Sequence, residues 1–199
     1  MQSGRVAAAC FLSAISASVL NRPASANPIA IFNTGVDDKG IALPGGSIDP
    51  HYTLVSTPNG PGSAFVVDPG HPIEPDGPWI IDRKKSVWIA PAANQDNYGV
   101  TGQFDYRMTF NLKGLDRHSA VLKGRWATDN EATIYLNGVA TANTTGSLSY
   151  SAYTRFTLRR GFVRGINTLD FIVNNDPNGE SDNPTGLRVK FIEAIANPR

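Results

Sequence analysis

One stretch, residues 126–139, constrains the fold more than any other part of this chain. It starts with a strand-like run at Trp126, passes through a polar turn at Asp129-Asn130, resumes as a second strand-like run and ends at Asn137-Gly138. Asn-Gly between alternating residues is the strongest short-range signal for a two-residue β-hairpin, because both turn residues must take a positive φ. The stretch therefore predicts strand, turn, strand and hairpin in succession, which is the signature of an all-β domain.

The rest of the chain supports the same class. In residues 102–112, apolar and polar side chains alternate, so one face of that strand is predicted to enter the core while the other is wet or functional. Further strands are predicted at 29–33, 52–56, 64–67, 79–81, 87–89, 120–128, 133–137, 153–158, 167–174 and 186–195. Many short strands separated by glycine and proline turns predict a jelly-roll β-sandwich. The proline-rich segment 58–78 is expected to be a rigid loop with one short edge strand.

The first 26 residues have the three regions of a secretory signal peptide. A positive charge at Arg5 precedes an apolar run over residues 6–20, and small residues follow at Ala24-Ser25-Ala26. The run is shorter than the roughly 20 apolar residues that a spanning helix needs. We therefore predict cleavage after Ala26, a single β-sandwich domain over residues 27–199, and a secreted or periplasmic protein without membrane insertion. The only cysteine, Cys10, lies in the signal, so the mature protein would hold no disulfide.

The charge balance excludes one class of partner. The chain has 18 Lys and Arg against 17 Asp and Glu, and two of the arginines lie in the predicted signal. Nucleic acids and anionic membranes select for concentrated positive charge, so a near-neutral protein is not expected to bind them.

Several motifs taken together resemble the galactose-binding-domain-like jelly roll of exported bacterial proteins, many of which carry a PEP-CTERM sorting tail. They lie at 88–91, 106–112, 126–139, 161–163 and 165–175, so the resemblance covers most of the predicted mature chain. Residues 165–171 are also similar to a strand in the sugar-binding domains of many glycosidases. The resemblance implies a jelly-roll fold, because its motifs serve the hairpin turns and the sandwich core, and they do not specify a function. The sequence ends without the sorting tail, which favours a freely secreted or periplasmic protein over an anchored one.

No catalytic constellation accompanies these motifs. His51, His71 and His118 lie in unrelated segments, and the chain has no serine-hydrolase elbow, no zinc-protease motif and no Walker loop. Glycoside hydrolysis would need two carboxylates at a defined separation, which no sequence pattern establishes. We therefore predict that the protein is not an enzyme.

The acidic loops suggest a structural calcium ion instead, and no other cofactor is expected. Oxygen ligands from loop Asp and Asn residues suit Ca²⁺, and jelly rolls of the kind resembled here sometimes hold one at a sandwich edge. The candidate ligands are Asp37, Asp38, Asp129 and Asn130. The alternative is a set of capped turns, a common role of Asp and Asn.

Sugar binding needs aromatic faces beside planar polar groups in a loop-built cleft. The candidates are Trp79 and Tyr98 with Asn94, Asp96, Asn97 and Arg155 as polar neighbours. Loop plugs packed over the sandwich edge are the alternative role for Trp79 and Tyr98, whereas Trp88 and Trp126 are predicted core residues. The function expected from the sequence is recognition of carbohydrate through loops at one end of the sandwich. The alternative is a structural or protein-interaction component of the cell surface or extracellular matrix, with no sugar site.

Overall fold

A computed structural model describes residues 26–81, 85–96, 98–177 and 183–199. All regular elements in these ranges are strands: β1 (Asn27–Pro28), β2 (Ile48–Ser56), β3 (Gly62–Val66), β4 (Ile89–Ala90), β5 (Gly102–Asn111), β6 (Val121–Asp129), β7 (Ala132–Leu136), β8 (Val139–Thr144), β9 (Thr154–Leu158), β10 (Ile166–Asn175) and β11 (Gly186–Ala196). Within the same ranges, no helix is long and apolar enough to cross a membrane.

All strand pairs are antiparallel, and together they form one path in the order β8-β7-β10-β5-β2-β3-β4-β11-β6-β9, with β1 added beside β11. The path folds back on itself, so that β10 lies against β6 and β11. The two layers, joined at β3, make an almost closed sandwich whose end strands are β8 and β9. The all-β jelly-roll sandwich predicted from the sequence is confirmed.

The main core lies between these two layers. In β5, Phe104, Tyr106, Met108 and Phe110 are buried, as the alternation in this segment predicts. The rings of Trp126 in β6 and Phe171 in β10 are 5.6 Å apart across the sandwich. Burial of such large aromatic side chains supplies most of the apolar area that stabilises a sandwich.

A second, smaller core covers the outer face of β6 and β11. The proline-rich segment and the residues after it carry Trp79 and Trp88, whose ring centroids are 4.2 Å apart and which pack with Ala127 of β6. The buried Arg188 of β11 donates hydrogen bonds to the backbone carbonyls of Ile80 and Ser86 and so ties the segment down. Both outer tryptophans are buried. The proline-rich segment therefore shields the outer face of β6 and β11 from solvent around Ala127.

The strand predictions differ from the structure in four places. The short strand in the proline-rich segment, β3, is not an edge strand, because it pairs with β2 on one side and with β4 on the other. Residues 29–33 form no strand. The pairing with β11 ends at Pro28, and after it the N–H of Ile29 donates one hydrogen bond to the carbonyl of Ala194. Residues 79–81 contribute a single bridge between Trp79 and Ile73. Strand β8 was missed, since its side chains are mostly small, polar and exposed and give no apolar alternation. The hairpin before β8 is confirmed, with φ of 52° at Asn137 and 77° at Gly138.

Candidate functional site

The outer face of the β7, β10 and β5 layer is polar and uncovered, in contrast to the covered face of β6 and β11. Strand register aligns its outward side chains in three rows: Tyr135 with Asp170 and Arg107, Thr133 with Ile172 and Asp105, and Glu131 with Asn174 and Gln103. We call these nine residues the polar sheet face. They come from three segments that are distant in the sequence, so the face exists only once the strands pair.

A shallow cavity of about 310 Å³ opens on this face. Tyr135 lines one side of it, while Gln103, Glu131 and Asn174 supply amide and carboxylate groups and Ile172 supplies an apolar patch. An aromatic ring can pack on the C–H surfaces of a ligand, and planar polar groups can bond its hydroxyls.

The row beside the cavity is fixed by an ion pair. Arg107 donates from Nε to Oδ1 of Asp170 at 2.5 Å and from Nη2 to Oδ2 at 3.1 Å. The side chain of Asp170 is only 4% exposed, whereas that of Arg107 is 38% exposed. A bidentate pair of this kind holds the guanidinium in one orientation. Arg107 therefore presents its remaining donors to the solvent side in a fixed direction.

Asp105 is the most unusual group on the face. Its Oδ1 is buried and has no hydrogen-bond partner within the described residues. The pKa of Asp105 is raised to about 6, first by burial and then by the negative charge of Asp170, while the positive charge of Arg107 opposes the rise. An unsatisfied acceptor costs free energy unless a ligand or water supplies a donor. A ligand hydroxyl is a donor of the required kind.

A small polar network closes the rim of the cavity. The amide nitrogen of Asn174 donates to Oε1 of Glu131 at 2.8 Å and to Oδ1 of Asp176 at 2.5 Å. A hydrogen bond with the Glu131 carboxyl raises the pKa of Asp176. The backbone N–H of Asp176 donates to the side chain of Asn130, which joins the rim to the turn after β6.

The aromatic predicted to stack on a sugar at the loop end, Trp79, is buried with no exposed surface. Its Nε1 donates to Oδ2 of Asp129 at 2.8 Å. Of the two roles that the sequence left open for Trp79, the structure shows the loop plug. The expectation of an exposed ring at this position is corrected, because the outer face of β6 and β11 needs an apolar cover and Trp79 supplies it.

The other predicted sugar-binding residues do not share one cleft. Tyr98 is half-buried against the core beside Phe104, and it borders a separate cavity of about 290 Å³ formed with the β2–β3 hairpin. Asn94 accepts a hydrogen bond from the backbone of Asp96, and the Asp96 carboxylate lies 3.4 Å from His71. Arg155 is exposed on β9. Asn97 lies outside the described residues. A binding role for these residues stays a prediction.

The predicted calcium ligands lie in two different settings. Oδ1 of Asp37 accepts from the backbone N–H groups of Lys39 and Ile41, and Asp38 lies beside His51. In the interior, Oδ2 of Asp129 accepts a hydrogen bond from Trp79, and Oδ1 of Asn130 accepts one from the backbone N–H of Asp176. Within the described ranges, no group of three or more Asp, Glu, His or Cys side chains is placed to hold a metal ion. Calcium binding stays a prediction.

Sequence reasoning chose loop aromatics and so missed the polar sheet face. One signal for it was present, since the polar positions of β5 include Gln103, Asp105 and Arg107, and one face of that strand was expected to be wet or functional. Tyr135 and Asp170 gave no such signal, because nothing in the sequence states which strands pair with β5.

The sequence matches no protein-family model and no curated protein. Among solved structures, a family 35 carbohydrate-binding module from an environmental isolate is similar over 51% of this chain and 73% of that chain, with 9% identity and a TM-score of 0.31. A similarity this low does not place the chain in a family, whereas its strand order and register show an antiparallel β-sandwich. The comparisons give no support to the type of jelly roll associated with the PEP-CTERM tail.

Proposed function

We propose that this protein is a noncatalytic carbohydrate-binding module whose sugar site is the polar sheet face. The observation that carries the proposal is the register that places Tyr135, Asp170 and Arg107 in one row beside a cavity of about 310 Å³. Glycan is the ligand class that matches a mixture of one aromatic ring, two amides, a guanidinium and carboxylates on an open, shallow surface.

The carboxylates on this face support binding rather than hydrolysis. Asp170 is held in its ion pair with Arg107, and Glu131 accepts from the Asn174 amide. A glycosidase needs one carboxyl group free to donate a proton and a second free to act as a base or nucleophile. Oδ1 of Asp105 is buried and has no hydrogen-bond partner within the described residues, so Asp105 is proposed to accept a hydrogen bond from a sugar hydroxyl that reaches it from this face.

Export is part of the proposal. Its support is the sequence of residues 1–26, which has the positive, apolar and small-residue regions of a secretory signal. The test is N-terminal sequencing of the protein recovered outside the cytoplasm of an expressing bacterium. A mature N-terminus at Asn27 is expected, and an intact Met1 terminus would contradict it.

The binding proposal is tested with purified residues 27–199 on an array of plant and microbial glycans, followed by titration calorimetry with the strongest hit. Tyr135→Ala and Asp105→Ala are each expected to weaken binding about tenfold, since a stacked ring or a buried hydrogen bond contributes about 1 to 1.5 kcal/mol. Asn111→Ala is the matched control, because Asn111 is an exposed polar residue on the same strand, beyond the rows of the polar sheet face.

Three outcomes separate the alternatives. Loss of binding in Tyr98→Ala but not in Tyr135→Ala would move the site to the loop end. Release of reducing sugar from the bound glycan would show an enzyme. An array with no reproducible binding would favour the structural or interaction role.

A further inference from the structure

The two end strands of the sandwich, β8 and β9, approach each other without pairing through their backbones. A single side chain bridges them: Nδ2 of Asn143 in β8 donates to the carbonyl of Thr157 in β9 at 3.3 Å, and Oδ1 of Asn143 accepts from the N–H of Thr157 at 3.2 Å. A carboxamide has the donor and acceptor of a peptide unit. The Asn143 carboxamide therefore makes the two hydrogen bonds to Thr157 that the backbone of a paired strand would make.

Beside this bridge, towards the β7–β8 hairpin, the gap widens into a cavity of about 410 Å³, which we call the edge groove. Buried Leu136 and Leu158 line it, and Val139, which is 68% exposed, stands with Ala140 and Ala142 along β8. Arg159, Arg160 and Gly161 line it where β9 ends. The lining contains no aromatic side chain, so it lacks the flat surface on which a sugar ring would stack.

The end of the sandwich at which the groove opens is basic. Four segments at this end, residues 112–120, 137–138, 159–165 and 197–199, carry one acidic side chain, Asp116, against six basic ones: Lys113, Arg117, Arg159, Arg160, Arg164 and Arg199. The segment 35–47, which leads into β2 at the same end, adds Asp37, Asp38 and Lys39, so basic side chains still outnumber acidic ones. The described parts of the loops at the opposite end, 57–61, 91–96, 98–101, 130–131, 145–153, 176–177 and 183–185, contain no Lys or Arg. Although the net charge of the chain is near neutral, its positive charges are therefore concentrated at one end of the strand axis. A negatively charged ligand is attracted to the groove end.

We propose that the edge groove binds an extended acidic peptide, which adds as a strand to β9. In an antiparallel ladder, alternate residues direct their N–H and C=O groups to opposite sides. Since Thr157 directs both groups towards β8, the next residue with that orientation is Arg159, which directly follows the end of β9. The peptide pairs there, displaces the Asn143 carboxamide from Thr157, and places alternate side chains on the Leu136 and Leu158 floor and beside the guanidinium groups.

A peptide is preferred over an anionic polysaccharide because of this backbone edge. Strand addition obtains its affinity from main-chain hydrogen bonds and its selectivity from pockets for alternate side chains. The groove offers the edge, an apolar floor and two arginines on one side. This site is separate from the polar sheet face and does not depend on the proposed sugar binding.

The test is fluorescence anisotropy of purified residues 27–199 with a labelled peptide of about four Glu-Val repeats, the length of an ordinary strand. We expect saturable binding that weakens between roughly 0.05 M and 0.3 M salt, because the charges are exposed. Arg159→Ala combined with Arg160→Ala is expected to raise the Kd about fivefold. Arg155→Ala is the matched control, since Arg155 is an exposed arginine on the same strand that does not line the groove.

Two further probes separate strand addition from charge attraction alone. The same peptide with N-methyl groups on alternate residues keeps its charge but loses donors, and it is expected to bind at least about tenfold more weakly. Equal binding of the methylated peptide, or of polygalacturonate, would overturn strand addition. No binding of the Glu-Val peptide at low salt, with the protein folded as judged by its melting curve, would overturn the site itself.

Discussion

The indole Nε1 of Trp79 donates a hydrogen bond to Oδ2 of Asp129 at 2.8 Å, inside the second core. Burial raises the pKa of Asp129 more than the hydrogen bond from Trp79 lowers it, and the pKa is about 7 as a result. Trp79, a candidate sugar-binding residue, and Asp129, a candidate calcium ligand, thus form one buried pair in the structure. The pair explains why Trp79 is not available to a sugar, and it makes the stability of the fold depend on pH.

The first prediction follows from Asp129. Its pKa is raised above the ordinary 3.8, so the stabilisation is complete below pH 3.8 and is lost as the pH rises through about 7. Asp129→Asn keeps an acceptor for Trp79 and cannot ionise, so it should raise the free energy of unfolding by about 2 to 4 kcal/mol more at pH 8 than at pH 5. Urea unfolding at both pH values measures this, and an equal effect at pH 5 and pH 8 would contradict it.

The second prediction concerns Asp105. Its pKa of about 6 owes its rise first to burial and then to the charge of Asp170. Asp170→Asn removes that charge and frees Arg107 from its ion pair, so the pKa of Asp105 should fall. Carbon NMR titration of labelled aspartates measures the change. Thr109→Ala, on the exposed face of the same strand, is the control and should leave the titration unchanged. An unchanged pKa in Asp170→Asn would show that burial acts alone.

The third prediction tests the fit of the second core. A Cβ at Gly186 would lie 2.6 Å from Cη2 of Trp79 and 3.2 Å from the carbonyl of Ile89. Gly186→Ala should therefore cost about 1 to 3 kcal/mol, because the buried indole has no room to move away. Gly146→Ala is the matched control, since nothing lies within 4 Å of its added Cβ. Chemical denaturation compares the two, and equal stabilities would refute the packing described for Trp79.

The fourth prediction concerns the bridge between the end strands. Asn143→Ala leaves Thr157 without a partner for its N–H and C=O groups, and the free energy of unfolding should drop by about 1 to 2 kcal/mol. The amide of Thr157 should exchange with deuterium faster, while that of Phe156, which belongs to the β6–β9 pairing, should keep its rate relative to global unfolding. Unchanged exchange at Thr157 would mean that Asn143 does not hold this edge.

Much of the fold was predictable because its signals are local. Alternation in β5 predicted the buried positions Phe104, Tyr106 and Met108, and Asn137-Gly138 predicted the hairpin between β7 and β8. Each signal depends on residues a few positions apart, which share a strand face or a turn. Strand β8 escaped detection because an exposed end strand needs no apolar pattern.

The candidate site was not predictable in the same way. Trp79 and Tyr98 are candidate sugar-binding residues because they are aromatics in polar, proline-rich segments. The local sequence does not indicate which sheet face is apolar and must be shielded from water by such a residue. Trp79 covers the face of β6 and β11, while the face of β5 and β10 stays open. Exposure is a property of the packed molecule and not of the local sequence.

Patterns within the sequence were enough to predict an all-β sandwich, the burial of Trp88 and Trp126, and the turn that starts β8. The row formed by Tyr135, Asp170 and Arg107, and the edge groove between β8 and β9, exist only in the folded molecule. Side-chain alternation is set within each strand, whereas register and strand order depend on pairings between distant segments that minimise the exposed apolar surface of the whole chain.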